Sequence, residues 1–511
     1  MDCIDVREDT YFDSVFLMAA SAELARIEGL EAAHLVLATE QNRELLLAQG
    51  FDPAPLSSLG PTDLVIALRA AEAAVIDAAL ERVELVLSSA RQADAGLAEE
   101  SPVGLDGGLA RLPDANLALI SVPGAYAAFE AGKALARGLH VMLFSNNVAL
   151  EEEIALKRRA GELGLLVMGP DCGTAMIGGT PLGFANRVRR GPVGLVGASG
   201  TGLQEVASRL HRDGSGVTHI LGTGGRDLKA GVNARTTLAA LDLLAADPDT
   251  RVIVVVSKPP AREVADLVLR RLQQLDRPSV VCFLGQDPVD DLAEQKVHHA
   301  RTLAEAAWIA RRLALGEPVA VTQPYEIVRL DETLLIGTMS ARQRDLVGLY
   351  TGGTLAGEAL LILRRELGSE RISSNLGPPE PGGRGHTVLD LGADEYTRGR
   401  PHPMIDPAPR NEQIRARGGD PETALLLLDV VLGHGSHRDP AGEAARAVAD
   451  ARRTNPSLAV VGSVTGTDLD PQNLRVQEQV LEDAGVQVLP QNAAAASFAA
   501  RLILALEEAR R

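Results

Sequence analysis

Residues 191–227 read GPVGLVGASGTGLQEVASRLHRDGSGVTHILGTGGRD, a pattern typical of a strand, a tight turn and a helix. The apolar run at 193–196 has the length and β-branched content of a buried strand, and an amphipathic run typical of a helix begins at Leu203. Between them, residues 197–202 form a Gly-rich turn. Glycines let a backbone approach a ligand, and the free N–H groups and dipole of a helix N-terminus favour an anion. The stretch therefore predicts either a phosphate or carboxylate site or a plain α/β connection that binds nothing.

Two well-known phosphate motifs are absent from this turn. No Lys follows the glycines, so the turn is not a Walker A loop, and their G-x-x-G-x-G spacing differs from the dinucleotide fingerprint. Strand and helix patterns nevertheless alternate on both sides of it, which predicts parallel sheets. We expect an α/β protein with several Rossmann-like or flavodoxin-like domains and a small N-terminal α/β domain. The predicted domains are 1–100, 101–188, 189–316 and 317–511.

Composition narrows the class of protein. The 511 residues are 46% hydrophobic but only 3% aromatic, which predicts aliphatic cores. A formal net charge of -18 argues against nucleic-acid or anionic-membrane partners. Cys3, Cys172 and Cys282 are too few and too scattered for a disulfide framework or a zinc site. With no signal-peptide pattern at the N-terminus and no apolar run of roughly 18 residues, we expect a cytoplasmic protein.

Candidate ligand contacts follow the predicted strands, because ligands on parallel sheets bind outside the carboxyl ends of strands. Arg226 and Lys258 are candidate catalytic cations, although either could instead be solvated or paired with Asp227. A long Gly- and Pro-rich segment at 368–417 contains two further candidates, Arg400 and His402. Further pocket candidates in the strand-end loops are Asp171, Cys172, Gly224 and Gly225.

Several of these residues have plainer interpretations. Asp171 could form a turn or a cap, and Cys172 is not expected to be a nucleophile because the sequence identifies no neighbouring base. His434 and His437 suggest a metal, but two histidines without a third ligand are weak support. We therefore predict no metal site.

The motifs resemble a known family. GPDCG at 169–173, VGLVGASGT at 193–201 and GTGGRD at 222–227 resemble the α subunit of succinyl-CoA synthetases. The Gly-rich turn at 351–354 resembles the ligase domain of their β subunit. The fusion of both in one chain, with an N-terminal unit and the RPHPMIDP stretch at 400–407, closely resembles the FdrA family over essentially its full length.

In the synthetases, two helix N-termini hold one phosphate that is carried by a histidine. The resemblance therefore implies a shared phosphate site, here made of Ser199, Gly200, Thr201, Gly352, Gly353 and Thr354. The Gly-His-Ala-Gly loop that carries the synthetase histidine is absent. His298 and His299 fall on the final predicted strand, where we expect a structural or surface pair rather than a phosphate carrier.

A phosphate site without that histidine fits direct transfer. The FdrA resemblance implies a subunit of an oxamate carbamoyltransferase, which interconverts oxalurate and phosphate with carbamoyl phosphate and oxamate. Its carboxylate or carbonyl contacts would be Arg226, Lys258, Arg400 and His402. No cofactor is required, and we expect a homodimer within a hetero-oligomer. Two alternatives remain: an acid-thiol ligase resembling succinyl-CoA synthetase, in which case CoA would bind, or a non-catalytic regulatory subunit.

Overall fold

The computed structural model describes the chain except residues 9, 11, 13, 26, 57–58, 61, 96–103, 287–295, 320–334, 378–384 and 398–400. Contacts divide the chain into two units. The first unit comprises residues 1–103 and 393–406, and the second comprises residues 104–392 and 407–511.

The first unit is built on an antiparallel three-stranded sheet with the order β1-β3-β2. The central strand β3 is buried along almost its whole length, and aliphatic side chains from the helices pack against the sheet. The elements of this unit are β1 (Asp2–Arg7), α1 (Ser14–Leu24), β2 (Leu30–Leu37), α2 (Glu40–Ala48), β3 (Leu64–Ala70) and α3 (Ala73–Ala95). A short helix that we label α12 (Asp394–Thr397) completes it.

The second unit begins with a small parallel sheet of order β4-β5-β6. Its helices bury alanine-rich faces, as in α5, where Ala127, Ala131 and Ala134 are buried. The elements are α4 (Gly104–Arg111), β4 (Leu117–Ile120), α5 (Gly124–Ala136), β5 (His140–Leu143), α6 (Leu150–Leu163) and β6 (Val167–Met168).

A seven-stranded sheet follows, with the order β13-β12-β11-β9-β10-β7-β8. Its strands β9 to β13 are parallel, whereas the hairpin β7–β8 is antiparallel. The elements are β7 (Thr174–Ile177), β8 (Thr180–Gly183), β9 (Arg190–Ala198), α7 (Gly200–Arg212), β10 (Val217–Gly222), α8 (Arg235–Ala246), β11 (Val252–Ser257), α9 (Arg262–Gln274), β12 (Ser279–Phe283), β13 (Val297–His299) and α10 (Leu303–Leu315).

The last sheet is a six-stranded parallel sheet of order β15-β16-β14-β17-β18-β19. All nine residues of β17 are buried, as expected for a parallel strand covered on both faces. The elements are β14 (Asp345–Tyr350), α11 (Gly353–Leu367), β15 (Ile372–Ser374), β16 (His386–Asp390), α13 (Ala408–Gly418), β17 (Thr423–Val431), α14 (Pro440–Thr454), β18 (Ala459–Thr465), α15 (Leu474–Asp483), β19 (Gln487–Leu489) and α16 (Asn492–Glu508).

The predicted fold class, α/β with several parallel sheets and a small N-terminal domain, is confirmed. Two details differ from the sequence interpretation. The hairpin β7–β8 lies within residues 101–188, yet it pairs with β10 of the seven-stranded sheet. Helix α7 begins at Gly200 rather than Leu203, because the small residues of the turn already adopt the first helical turn. None of the helices in the described part of the chain has the length and hydropathy needed to span a bilayer.

Candidate functional site

The N-termini of α7 and α11 meet in the second unit. The hydroxyl of Ser199 donates a 2.8 Å hydrogen bond to Thr354 Oγ1, and both side chains are buried. A Cβ on Gly352 would lie 3.0 Å from the Thr201 side chain, so the two turns are in contact. Neither helix has a side-chain N-cap hydrogen bond. The first N–H groups of both helices therefore remain suited to an anion at one place.

A cation and a carboxylate stand at the start of α11. A Cβ on Gly353 would lie 2.8 Å from Lys258 Nζ and 2.3 Å from Asp390 Oδ2. Lys258 follows β11 and its side chain is 46% exposed, whereas Asp390 ends β16 and is buried. The two charged groups are 3.9 Å apart. Lys258 therefore adds a solvent-accessible positive charge beside the helix N-terminus.

The turn before α11 is fixed by Asp429. Its carboxylate accepts hydrogen bonds from the N–H groups of Thr351 (2.8 Å) and Gly352 (2.7 Å). Arg410, also buried, donates to the backbone carbonyl of Asp429 at 2.7 Å. Burial raises the pKa of the Asp429 carboxyl, and the Arg410 charge opposes that rise. This carboxylate uses the N–H groups of the turn and leaves those of the helix itself to a ligand.

Sequence reasoning missed both Asp429 and Asp390. Asp429 interrupts the apolar run LLLLDVV of β17, and Asp390 ends the strand HTVLD of β16. A carboxylate near the carboxyl end of an otherwise apolar parallel strand was the available signal. It was the strand order that placed both strands beside β14 and its Gly-rich turn.

The Gly-rich loop at 222–227, which follows β10, packs against the loop after β6. Gly224 has a φ of +84°, and a Cβ there would lie 2.2 Å from the carbonyl oxygen of Pro170, so only glycine fits. A Cβ on Gly225 would lie 3.5 Å from Asp171 Oδ2, and Asp171 itself has a φ of 56°. The structure thus brings Asp171, Gly224 and Gly225 together; their binding of a ligand stays a prediction.

Arg226 has protein partners. Its Nε donates to Glu153 Oε2 and its Nη2 to the carbonyl oxygen of Val148, both at 2.8 Å. The Glu153 carboxylate also pairs with buried Lys157 at 2.9 Å. These two contacts hold the loop, and the side chain remains 43% exposed, so a catalytic role for Arg226 stays a prediction.

Buried Lys157 also anchors the loop at 222–227. Its Nζ lies 2.8 Å from Asp227 Oδ1 and donates to the carbonyl oxygen of Thr223 at 2.9 Å. Asp227 in turn accepts from the N–H groups of Thr236 and Thr237. This buried network sets the shape of the loop that follows β10.

Cys172 lies in the core and not in an open pocket. It is 2% exposed, and its Sγ lies 3.5 Å from the carbonyl oxygen of Gly222. Burial raises the pKa of its thiol to about 12, so the group stays protonated at neutral pH. The Cys172 side chain therefore packs in the core, and a ligand contact by it stays a prediction.

The other histidines considered lie in strands and loops. His299 of β13 pairs in register with Val281, and burial lowers its pKa. His434 Nε2 accepts a hydrogen bond from Arg187 Nε at 3.1 Å, and His437 Nδ1 accepts one from the N–H of Asp439 at 3.1 Å. Among the described residues there is no group of three or more His, Cys, Asp or Glu placed to hold a metal ion.

The two remaining predicted catalytic residues come from the long Gly- and Pro-rich segment. Arg400 lies outside the described residues. His402 belongs to the first unit, where its Nδ1 accepts a hydrogen bond from the N–H of Met404 at 3.2 Å. Burial lowers the pKa of His402 to about 4, so its ring is neutral at neutral pH. Catalytic roles for both stay predictions.

With this geometry established, sequence comparison identifies the family. The chain is 40% identical over 501 residues to the uncharacterized protein YahF of Escherichia coli, covering 94% of this chain and 95% of YahF. The chain belongs to the YahF family. Family models match this YahF-family chain at residues 349–502 (CoA-ligase) and at 1–102 (AllF, heavy metal-associated domain). It therefore joins an AllF-type N-terminal domain to a CoA-ligase domain.

Other relatives match only part of the YahF-family chain. A sulfoacetate-CoA ligase subunit, SauD of Bilophila wadsworthia, is 28% identical over 28% of this chain and 50% of SauD. The alpha 2 subunit of an Archaeoglobus fulgidus succinate–CoA ligase is 28% identical over 34% of this chain and 61% of that subunit. These similarities support a succinyl-CoA synthetase-like, CoA-ligase type of protein, and neither subunit is named as a carbamoyltransferase.

Solved structures with distant similarity include an acetyl-coenzyme A synthetase of Ca. Korarchaeum cryptofilum, 16% identical with a TM-score of 0.33 over 77% of this chain and 83% of that one. An ATP citrate lyase from Methanothrix soehngenii is 17% identical, with a TM-score of 0.36 over 46% of each chain.

Proposed function

We propose that this YahF-family chain transfers an acyl group directly between an acyl phosphate and the thiol of CoA, which is the last half of a CoA-ligase reaction, without a phosphorylated histidine. The observation that carries the proposal is the joining of two helix N-termini by Ser199 and Thr354, with Lys258 at the same place. The CoA-ligase family match and the ligase-subunit relatives support CoA as the acceptor.

The phosphoryl group of the acyl phosphate would lie between the starts of α7 and α11. Backbone N–H groups at 200–202 and 353–355 would donate to its oxygens, and the two helix dipoles add partial positive charge. This arrangement explains how a chain with a net charge of -18 could hold a dianion. The protein needs no overall positive field, because the donors are local and pre-organised.

Lys258 would stabilise the leaving group. When the thiol attacks the acyl carbon, a C–S bond forms, the C–O bond to phosphate breaks, and the thiol proton ends on the released inorganic phosphate. Negative charge grows on the bridging oxygen in this step, and the Lys258 ammonium at the helix start would neutralise it. Asp390, 3.9 Å from Lys258 Nζ, would orient the ammonium.

The route is direct because the sequence lacks a relay. Residues 285–296, between β12 and β13, contain no histidine, and the Gly-His-Ala-Gly loop is absent. His298 and His299 lie on β13, and His299 pairs in register with the middle of β12. Without a histidine to carry it, the phosphoryl group would enter the site as part of the acyl phosphate.

Carbamoyl transfer is the second candidate, with oxamate in place of CoA. Carbamoyl phosphate is also a mixed anhydride, so the same phosphate site would serve it. The observation in its favour is the same missing relay, together with the resemblance of the fused chain to the FdrA family. In that reaction the amide nitrogen of oxamate attacks, and the cation at Lys258 would serve the same leaving group. A homodimer within a hetero-oligomer remains part of either proposal.

Phosphate release tests both candidates in one experiment. The purified chain, alone and with proteins encoded beside its gene, would receive acetyl phosphate with CoA or carbamoyl phosphate with oxamate. CoA-dependent release, with acetyl-CoA detected by mass spectrometry, would support the ligase-type proposal. Oxamate-dependent release would favour the carbamoyltransferase.

Variants locate the activity. Gly353→Asp places a carboxylate against Asp390 at the helix start and should abolish release. Gly357→Asp on the same helix serves as the control, because a Cβ at that position meets nothing within 4 Å. Release that persists in Gly353→Asp, or an acid-labile phosphoenzyme formed from acyl phosphate, would contradict direct transfer at this site.

A further inference from the structure

The two helices of the proposed anion site, α7 and α11, carry a glutamate at the same position along the helix. Glu205 is the sixth residue of α7 and Glu358 is the sixth residue of α11. Both are buried, with 3% and 1% of their surfaces exposed. Buried carboxylates are rare and need specific partners, so a matched pair on the two helices that form the proposed site requires an explanation.

The two carboxylates make crossed contacts. Glu358, on α11 of the six-stranded sheet, accepts a 2.8 Å hydrogen bond from the N–H of Leu303, where α10 of the seven-stranded sheet begins. Glu205, on α7 of the seven-stranded sheet, accepts from the hydroxyl of Thr465 at the end of β18. Each helix is thus tied to the other half of the unit through its own glutamate.

Asn492, the first residue of α16, joins the pair. Its Nδ2 donates to Glu358 Oε2 at 2.8 Å, and its backbone N–H is a hydrogen-bond donor to Glu205. The two carboxylates therefore belong to one buried network. A change of charge on either of them acts on both helix starts.

Burial of the pair favours its protonated form, whereas the hydrogen bonds from Leu303, Asn492 and Thr465 favour the charged form. Burial raises the pKa of Glu358 to about 7, and the nearby Glu205 charge adds to the rise. Burial also raises the pKa of Glu205, against the charges of Arg209 and Arg212 on its own helix. The other titratable neighbours, Cys282 and Tyr350, stay uncharged at neutral pH because burial raises the pKa of both.

A bound anion would act on this pair through the helices. Each glutamate follows the first residue of its helix by five positions, which is about 7.5 Å of helix rise. Long side chains in helices generally lean toward the N-terminus, which would shorten this separation. Two negative charges brought to the helix starts therefore disfavour a charged carboxylate beneath them.

We propose that Glu205 and Glu358 are positioning residues that take up a proton when a dianion binds between the starts of α7 and α11. This inference rests on the anion site of the proposed function but not on the reaction catalysed there. Its consequence is that anion affinity rises as pH falls through neutral, while the neutral glutamates keep the two helix starts aligned.

Sulfate is the probe, because its charge is constant across the pH range in which the pair titrates. Calorimetric titration of the full chain should give binding about tenfold tighter at about pH 6 than at about pH 8.5. Titrations at about pH 7.5 in two buffers of different ionisation enthalpy should show net proton uptake on binding.

Glu358→Gln should flatten the pH profile and reduce the proton uptake while keeping an acceptor for the Leu303 N–H. Glu366→Gln, on the same helix beside Arg365, is the control and should leave the profile unchanged. Glu205→Gln provides a second variant if Glu358→Gln does not fold.

The outcomes separate this inference from the proposed function. Sulfate binding with no pH dependence and no proton uptake in the unmodified chain would overturn the inference and leave the anion site standing. An unchanged pH profile in Glu358→Gln would also overturn it and would assign the proton to another carboxyl such as Asp429. Absence of sulfate binding at every pH would overturn both the inference and the anion site.

Discussion

Ser199 Oγ donates a buried 2.8 Å hydrogen bond to Thr354 Oγ1, across 155 positions of sequence. Each of these residues stands at the start of one helix that follows a Gly-rich turn. The bond joins the two helix starts, and neither helix has a side-chain cap on its first N–H groups.

Removal of this bond should weaken anion binding more than it weakens the fold. Thr354→Val keeps the side-chain shape and deletes the acceptor, which leaves the Ser199 hydroxyl buried without it. We expect a loss of about 1 kcal/mol in the free energy of unfolding, measured by urea denaturation. Sulfate affinity should fall several-fold in the same variant. Ser88→Ala in the exposed part of α3 should change neither quantity, and an unaltered sulfate affinity in Thr354→Val would show that the bond does not align the site.

Glycine is required at position 353 because neighbouring side chains leave no room for a Cβ, and not because of its backbone conformation. Gly353→Ala would place a Cβ 2.3 Å from Asp390 Oδ2 and 2.8 Å from Lys258 Nζ, so both charged groups must shift. We expect loss of sulfate binding, measured by calorimetry. Gly357→Ala, in open space on the same helix, should instead raise the free energy of unfolding by about 0.5–1 kcal/mol. If the two variants bound sulfate equally well, crowding at the start of α11 would not be what limits anion binding.

Lys157 should be the most sensitive buried charge in the second unit. Lys157→Met removes the cation from between Glu153 and Asp227, whose side chains are fully buried. Asp227 would then lose its cation and Glu153 would keep only Arg226, which should cost about 3–5 kcal/mol in the free energy of unfolding. Arg159→Met, exposed on the same helix and paired only with Glu162 among the described ion pairs, should cost less than about 0.5 kcal/mol. Denaturant unfolding of both variants measures the difference, and a similar small loss in each would refute a central role for the buried network.

His386 should make stability fall in acid. Its Nδ1 accepts a 3.0 Å hydrogen bond from the N–H of Leu346, and burial, with the Arg371 charge, lowers its pKa to about 4. The unfolded chain binds a proton near pH 6.5 and the folded chain only near pH 4, so stability is lost as pH falls through that window. The loss attributable to this residue should reach about 3 kcal/mol. The His386→Asn variant keeps an acceptor for the Leu346 N–H, so the difference between the two proteins isolates the contribution of His386. Parallel curves of unfolding free energy against pH would rule out that contribution.

Much of the fold could be predicted because local patterns carry it. The alternation of apolar runs and amphipathic runs predicts parallel sheets, and each Gly-rich turn follows a strand and precedes a helix as expected. The pairing of β7–β8 with the seven-stranded sheet could not be predicted, because antiparallel pairing at a sheet edge depends on which strand is nearest in space. The family similarity agrees with the fold that the local patterns predict, but it does not say which residues are in contact.

The candidate site was predictable only in its glycine turns. Ser199, Thr201, Gly352 and Gly353 were chosen from the turns, and the structure brings them together. Arg226 was chosen by residue type, and its two hydrogen bonds hold a loop, because the buried Glu153 that accepts one of them lies 73 positions away. Asp390 and Asp429 were missed because a single carboxylate in an apolar run has no meaning until neighbouring strands are known.

Local sequence patterns specify which segments are strands and helices and where glycine permits a tight turn. They also show that the relay histidine is missing from residues 285–296. Which charged groups meet depends on the folded structure. Helix and strand formation depends on residues a few positions apart, whereas the Ser199–Thr354 bond and the crossed contacts of Glu205 and Glu358 join residues more than fifty positions apart. Electrostatic interactions act through distance and burial, and these quantities exist only once the chain is folded.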